Sequence, residues 1–331
     1  MASTLPKAVA KKFPYEFTTL KQRQDAVVMP DGYKPDKLLE YLLRNAETLY
    51  EPKKVHTSSD WLKTQTETGQ TPKRFKQGGP TITWMSQNNR KIILFCLDGT
   101  IDEEMGQKLK LYCEAYFWTC EVEVVHPGGS IVCRPKVGKP IVKKTPKDFY
   151  GEHKITSRKN CGITQYNASE INEALTGYKN RDTFCILAVT NQDLYPKEEW
   201  NFVFGLANLS TGTGVFSFCR HQELFDDPET TMPEDEQDRR WFRKSAGTMV
   251  HEITHMFGIK HCIYYQCTMN GSNGSFETNR NGVTTLCPSC LAKLQMNIRF
   301  DSAERHTKLV EACKTLGFEA AKVYQAQLES I

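Results

Sequence analysis

The run His251-Glu252-Ile253-Thr254-His255-Met256-Phe257-Gly258-Ile259-Lys260-His261-Cys262 restricts this chain more than any other stretch. It reads HExxHxxGxxHC. Two histidines four residues apart project from one face of a helix, close enough to grip one metal ion. Glu252 follows the first of them and falls beside a metal-bound water, where a base is wanted. Gly258 is able to take the left-handed conformation that ends a helix, so the chain can turn back and bring His261 to the same ion. Three imidazoles leave the fourth position of tetrahedral zinc open, which marks a catalytic site rather than a structural one. The competing reading is three core histidines and a buried glutamate. It is costly on an otherwise apolar helix, because those polar groups would lack partners.

Downstream the spacing continues. Cys262 opens a second donor set with Cys267, Cys287 and Cys290, the last two forming CxxC. Four thiolates make a closed shell with no position left for water, the mark of a structural zinc. Four free thiols or a disulfide pair is the plain alternative. A methionine, Met269, follows the histidines, completing the metzincin pattern. It reads equally as a core methionine. The whole run HEITHMFGIKHCIYYQCTMN, with Cys287-Pro288-Ser289-Cys290 beyond it, resembles the archaemetzincin family of zinc metallopeptidases, whose fixed positions are all filled here. DLYPKEEWNFVFGLANLS, GVFSFCRH and CLAKLQ are similar as well, most closely to the eukaryotic type 2 branch.

That resemblance implies a metzincin-like zinc peptidase domain with two zinc ions per chain, one catalytic on His251, His255 and His261 and one structural on Cys262, Cys267, Cys287 and Cys290. It implies aminopeptidase-like activity on peptide or protein substrates, with Glu252 as the general base. It also implies an apolar floor at Met269 and an edge strand over residues 214–218 that aligns an extended peptide. The motif alone says only metal-assisted amide hydrolysis. A peptidase-fold scaffold with slow turnover and a zinc-ribbon interaction module are the rival classes. An intact Glu252 argues against the first, and no basic, aromatic-bearing face around the cysteines supports the second.

Composition agrees. The chain has 331 residues, 39% of them hydrophobic, with 43 basic against 39 acidic side chains, so nothing demands nucleic acid or an anionic membrane. No apolar run approaches the ~20 residues of a membrane span. The start lacks an apolar signal core, and twelve cysteines without one suggest reduced thiols in the cytosol, with the nucleus also open. The expectation is a cytoplasmic, unsecreted monomer.

Periodicity predicts an N-terminal extension over 1–80 and a catalytic domain over 81–331. Residues 1–34 read as a mobile tail, 35–50 as an amphipathic helix, and 51–80 as a polar connection with a short helix after Asp60. Strands are expected at 91–97, 121–125 and 184–190, alternating with helices at 101–117 and 166–175. That order points to α/β with a mixed, largely parallel sheet. Further strands are expected at 200–206 and 215–220. Residues 127–150 read as a Lys-rich loop. Residues 222–240 read as an acidic loop that could line the cleft, with Asp226, Asp227 and Glu229 favouring cationic substrates. An active-site helix over 241–257 and C-terminal helices over 291–298, 303–315 and 318–328 close the chain.

Overall fold

The computed structural model describes residues 12–78, 84–126, 153–222, 231–281 and 285–331. Its centre is a five-stranded sheet built from β3 (Lys91–Cys96), β4 (Glu121–Val125), β7 (Thr183–Thr190), β9 (Gly205–Asn208) and β10 (Thr213–Ser217), in the order β4-β3-β7-β10-β9. All neighbours run parallel except β10 and β9, which form an antiparallel hairpin. The sheet is mixed and largely parallel, as the alternation of apolar runs with helical periods requires.

Both faces are covered. Successive side chains of a strand point to opposite sides, so Ile92, Leu94 and Cys96 enter one core while Ile93, Phe95 and Leu97 enter the other. The smaller core is closed by helix Ala168–Leu175, which Asn167 caps, and is joined by Leu194. The larger core holds helix Glu103–Tyr116, the long helix Glu234–Met256 and the C-terminal helices. A second small sheet, β5 (Ser157–Asn160), β6 (Ile163–Asn167) and β8 (Asp193–Tyr195), flanks the first. Its strands are too short and polar to show a period of two.

Helix Pro288–Ile298 is buried along its whole length. Its polar side chains are satisfied from distant segments. Lys293 donates to Gln70 O (3.0 Å), Tyr33 donates to Gln295 (3.0 Å), and Asn297 accepts from Met85 N (2.8 Å). This helix therefore ties residues before 90 to the C-terminal half. Around it pack helices Ser302–Thr315 and Ala320–Glu329.

The N-terminal region departs from the expected tail and linker. Thr19 and Gln22 form a capping box that starts helix Leu20–Ala26. Arg23 then pairs with Glu16 (2.8 Å) and Glu47 (3.0 Å). β1 (Tyr15–Glu16) pairs with β2 (Lys54–Val55). The expected amphipathic helix is broken at Asn45 into Lys37–Arg44 and Ala46–Leu49, and its leucines 38, 39, 42 and 43 are buried. Two short helices, Trp61–Thr64 and Pro72–Gln77, follow.

Three further differences have physical causes. Residues 200–204 do not form a continuous strand: Val203 makes an isolated bridge to Leu194, and Asn201 O takes hydrogen bonds from the Gln165 (2.8 Å) and Asn160 (3.2 Å) side chains in place of a ladder partner. The long helix begins at Glu234, inside the stretch expected to be an acidic loop. Its first turn carries Glu234, Asp235 and Glu236, which suit the positive end of a helix dipole. Thirdly, β10 is not the edge. It is paired on both sides, and β9 is the outer strand. The Lys-rich stretch 127–150 and Asp226, Asp227 and Glu229 lie outside the described residues.

Candidate metal centres

The long helix carries His251 and His255 one turn apart, then ends directly after the second. Gly258 takes φ +79° and its N–H closes on His255 O at 2.8 Å. A left-handed residue at this point reverses the chain at little steric cost only if it is glycine. The return brings His261 to the other two. Ring centroids lie 4.6 Å (His251–His255), 4.8 Å (His255–His261) and 5.3 Å (His251–His261) apart.

Each imidazole has an acceptor on its Nδ1. His251 Nδ1 is 2.7 Å from Thr268 O, His255 Nδ1 is 2.6 Å from Ile259 O, and His261 Nδ1 is 2.9 Å from Glu67 Oε1. A proton on each Nδ1 leaves each Nε2 as a bare lone pair. The Nε2 atoms of His251 and His255 then face each other at 3.0 Å. Two lone pairs at that distance repel unless a cation lies between them, and it is near the separation set by two Zn–N bonds of about 2.0–2.1 Å. Burial among these neighbours lowers His251 to about 3 and His255 well below the usual value, so both are neutral donors at physiological pH. The donor set fits a zinc ion.

Glu252 lies beside this set, its Oε1 3.9 Å from His251 Nε2. Burial pushes its carboxyl up to about 7, yet 19% of its side chain still meets solvent. A carboxylate poised near neutrality is able both to take and to return a proton. The histidines and Glu252 open on a cleft of about 690 Å³. Its far wall is Phe202 to Ala207, including β9, and Trp61 forms part of the near wall. Phe204 O accepts from Ser217 N at 2.8 Å, so antiparallel alternation turns the N–H and C=O of Gly205 and Ala207 away from β10.

The second cluster is adjacent. Cys262, Cys267, Cys287 and Cys290 bring their sulfurs within 4.8 Å of one another, and all are buried. Cys262 Sγ and Cys287 Sγ are 3.6 Å apart, far beyond a disulfide bond of about 2.05 Å and close to the separation that two Zn–S bonds of about 2.3 Å impose. Cys267 Sγ accepts from Cys287 N (3.3 Å) and Met269 N (3.5 Å), donors that suit a thiolate. Neighbouring thiols stabilise one thiolate at Cys262, while burial pushes Cys267 and Cys287 up. A dry cluster of this kind holds four negative charges only around a cation. This donor set too fits zinc.

Loop 262–270 joins the clusters. Asn270 donates to Cys262 O (2.8 Å) and Tyr265 O (3.0 Å) and accepts from Cys267 N (3.0 Å). Met269 is fully buried directly after Thr268, whose carbonyl holds His251. All seven donors expected from the sequence are brought together, with Glu252 at the first set. Sequence reasoning missed Glu67, Trp61 and Asn270. Asn270 directly follows Met269 and could have been singled out as a turn residue. Glu67 lies 194 positions from His261 in a Thr- and Gln-rich stretch and gives no signal.

Comparison with known proteins identifies the family. The model of Peptidase family M54 matches residues 153–296. Archaemetzincin-2 of Mus musculus is 32% identical over 313 residues, covering 85% of this chain and 81% of that protein. Archaemetzincin-2 of Homo sapiens is 30% identical, covering 83% and 77%. Among solved structures, archaemetzincin from Methanopyrus kandleri shares 22% identity at a TM-score of 0.45, over 65% of this chain and 99% of that one. The class is a hydrolase that works through zinc. The chain belongs to the archaemetzincin family of zinc metallopeptidases. Among the described residues no helix is long and apolar enough to cross a membrane.

Proposed function

We propose that this chain cleaves peptide bonds near free amino termini, using one zinc on His251, His255 and His261 and a second, structural zinc on Cys262, Cys267, Cys287 and Cys290. The carrying observation is that all three Nδ1 atoms are engaged, so that three lone pairs converge beside Glu252 in an open cleft. Bound there, zinc supplies a Lewis acid and lowers the pKa of its water from about 16 towards 7.

The chain's own groups do the rest. Glu252 accepts a proton from the attacking water and orients its lone pair towards the substrate carbonyl. It then returns that proton to the leaving nitrogen as the C–N bond breaks. The outward N–H and C=O groups of Gly205 and Ala207 pair with an extended substrate, as an added strand would. The thiolate cluster holds loop 262–270, and through Thr268 it holds His251. A cytoplasmic or nuclear setting is what we infer from the cysteine usage.

The aminopeptidase-like preference rests on the family resemblance. Cleavage profiling of a peptide library with free and acetylated amino termini, wild type against Glu252→Gln, tests both parts. Glu252→Gln is expected to retain its metal and lose at least about 10³-fold in kcat, near the upper range for a lost acid–base group. Retained turnover would remove Glu252 from its role. Equal cleavage of acetylated peptides would replace the aminopeptidase reading with an endopeptidase one.

A further inference from the structure

The third histidine is held differently from the other two. His251 and His255 rest on backbone carbonyls of their own neighbourhood, Thr268 and Ile259. His261 rests on a side chain from far upstream. Glu67 Oε1 is 2.9 Å from His261 Nδ1 and also accepts from Trp61 Nε1 at 3.0 Å. The Trp61 indole meets the His261 ring edge-on, with centroids 5.1 Å apart.

The segment that carries these residues is fastened to the site. Asp60 pairs with Arg280 at 2.6 Å, and Trp61 N donates to Glu277 at 2.9 Å. Asn273 Nδ2 donates to Ser59 O and Thr64 Oγ1, both at 2.7 Å. The indole packs against Gly271, where a Cβ would come within 2.5 Å of it. On the other side Gln70 donates to Gly258 O (3.0 Å) and accepts from Lys260 N (3.0 Å). Residues 60–70 therefore grip the bend that delivers His261.

We infer that Glu67 is a positioning residue for His261 and that Trp61 anchors it. The carboxylate keeps the proton on Nδ1, points Nε2 at the centre, and adds a full negative charge behind the ring. A charged acceptor raises ligand basicity more than a carbonyl does. The centre is then incomplete without a segment that lies outside residues 153–296, the part matched to the peptidase family. The inference rests on the zinc reading above.

Cobalt(II) binding to the full-length apoprotein tests it, with chelator competition and absorption spectra separating the histidine site from the thiolate site. The thiolate-to-cobalt band serves as an internal control for folding. Glu67→Ala should weaken the histidine site about 10–100-fold, the usual effect of removing an outer-shell partner, and leave the thiolate site unchanged. Glu67→Gln, nearly the same shape but uncharged, should fall between Glu67→Ala and wild type. Trp61→Phe should weaken the site less than Glu67→Ala. Affinities of Glu67→Ala within about twofold of wild type at the histidine site, against that 10–100-fold, would overturn the inference. Equal loosening of both sites would also overturn it, since the loss would then lie in packing and not in His261. If wild type takes up cobalt at the thiolates alone, the zinc reading of the histidines falls first. If wild type takes up two ions and Glu67→Ala holds both as tightly, this inference falls alone.

Discussion

His261 and Cys262 are neighbours in the chain and belong to opposite kinds of site. The histidine set lines a cleft, with 14% of the His251 side chain and 22% of the His261 side chain exposed. The cysteine set is nearly closed, on residues that are 0–2% exposed, with only Cys267 reaching the floor of the same cleft. One cluster is assembled on the end of a long helix and a glycine bend. The other is assembled on a loop and the start of a buried helix, where Cys287 precedes Pro288. Openness suits chemistry, and closure suits a clamp. On the function proposed above, a chemically demanding site is left exposed while a dry one fixes the loop beside it.

The widest separation between the two should come from ligand deletion. Cys290→Ser leaves three thiolates in a dry pocket and is expected to cost at least about 4–5 kcal/mol, with metal lost from both sites, because removing a structural metal withdraws folding free energy. His255→Ala should abolish turnover while lowering stability far less. Thermal unfolding with metal analysis reads both. Similar melting temperatures for the two variants would erase the proposed division of labour.

Asn270 measures how tightly the clusters are coupled. It is 7% exposed and makes its three side-chain hydrogen bonds to Cys262, Tyr265 and Cys267. Asn270→Ala is expected to cost about 2–3 kcal/mol, since buried backbone partners are left unpaired. Its zinc should leave the histidine site faster as well, through Thr268. Denaturant unfolding and zinc-release rates check this. Slower or unchanged release with lost stability would show the two sites to be mechanically independent.

Acid is a tempting way to separate the sites, but a buried histidine outside both of them intervenes. His306 is buried, with Nδ1 2.7 Å from Ser302 O and Nε2 3.0 Å from Gln327 Oε1, and burial outweighs these two acceptors and lowers it to about 3. Its folded pKa lies below its unfolded value. The unfolded chain therefore binds the proton first, and stability is lost as pH falls from about 6.5 towards 3. At pH 5 the loss is about 2 kcal/mol for this one group. His306→Gln should flatten that part of the stability curve between pH 7 and 5 without touching zinc content. An unchanged slope would mean that other groups, the metal ligands among them, dominate acid unfolding.

The catalytic core was legible because its signals are local and periodic. The histidine spacing, Gly258, the CxxC and the apolar FCILAV within β7 each state their own geometry. What escaped was set by contacts between distant residues. β5, β6 and β8 are short polar strands held by cross-strand partners, and residues 200–204 lose strand form to side chains from β5 and β6. Glu67 carries no local pattern at all. The resemblance also led to the wrong strand: residues 214–218 read as an exposed edge, because the pairing of β10 with β7, which leaves β9 as the outer strand, is a contact between distant residues that periodicity does not reveal.

That correction yields the smallest and most specific prediction. Ala207 is half-buried on β9 and turns its N–H away from β10, towards the cleft. Proline there removes a donor that the sheet does not use, which edge strands tolerate. Ala207→Pro is therefore expected to raise KM about 3–10-fold, equivalent to roughly 1 kcal/mol for one lost hydrogen bond to substrate, with kcat and melting temperature nearly unchanged. A matching substitution on β10 would break the paired interior of the sheet and cost stability instead. Steady-state kinetics on an extended peptide decides. If Ala207→Pro leaves KM alone, substrate is not aligned by this edge, and the cleft's selectivity must come from its side chains.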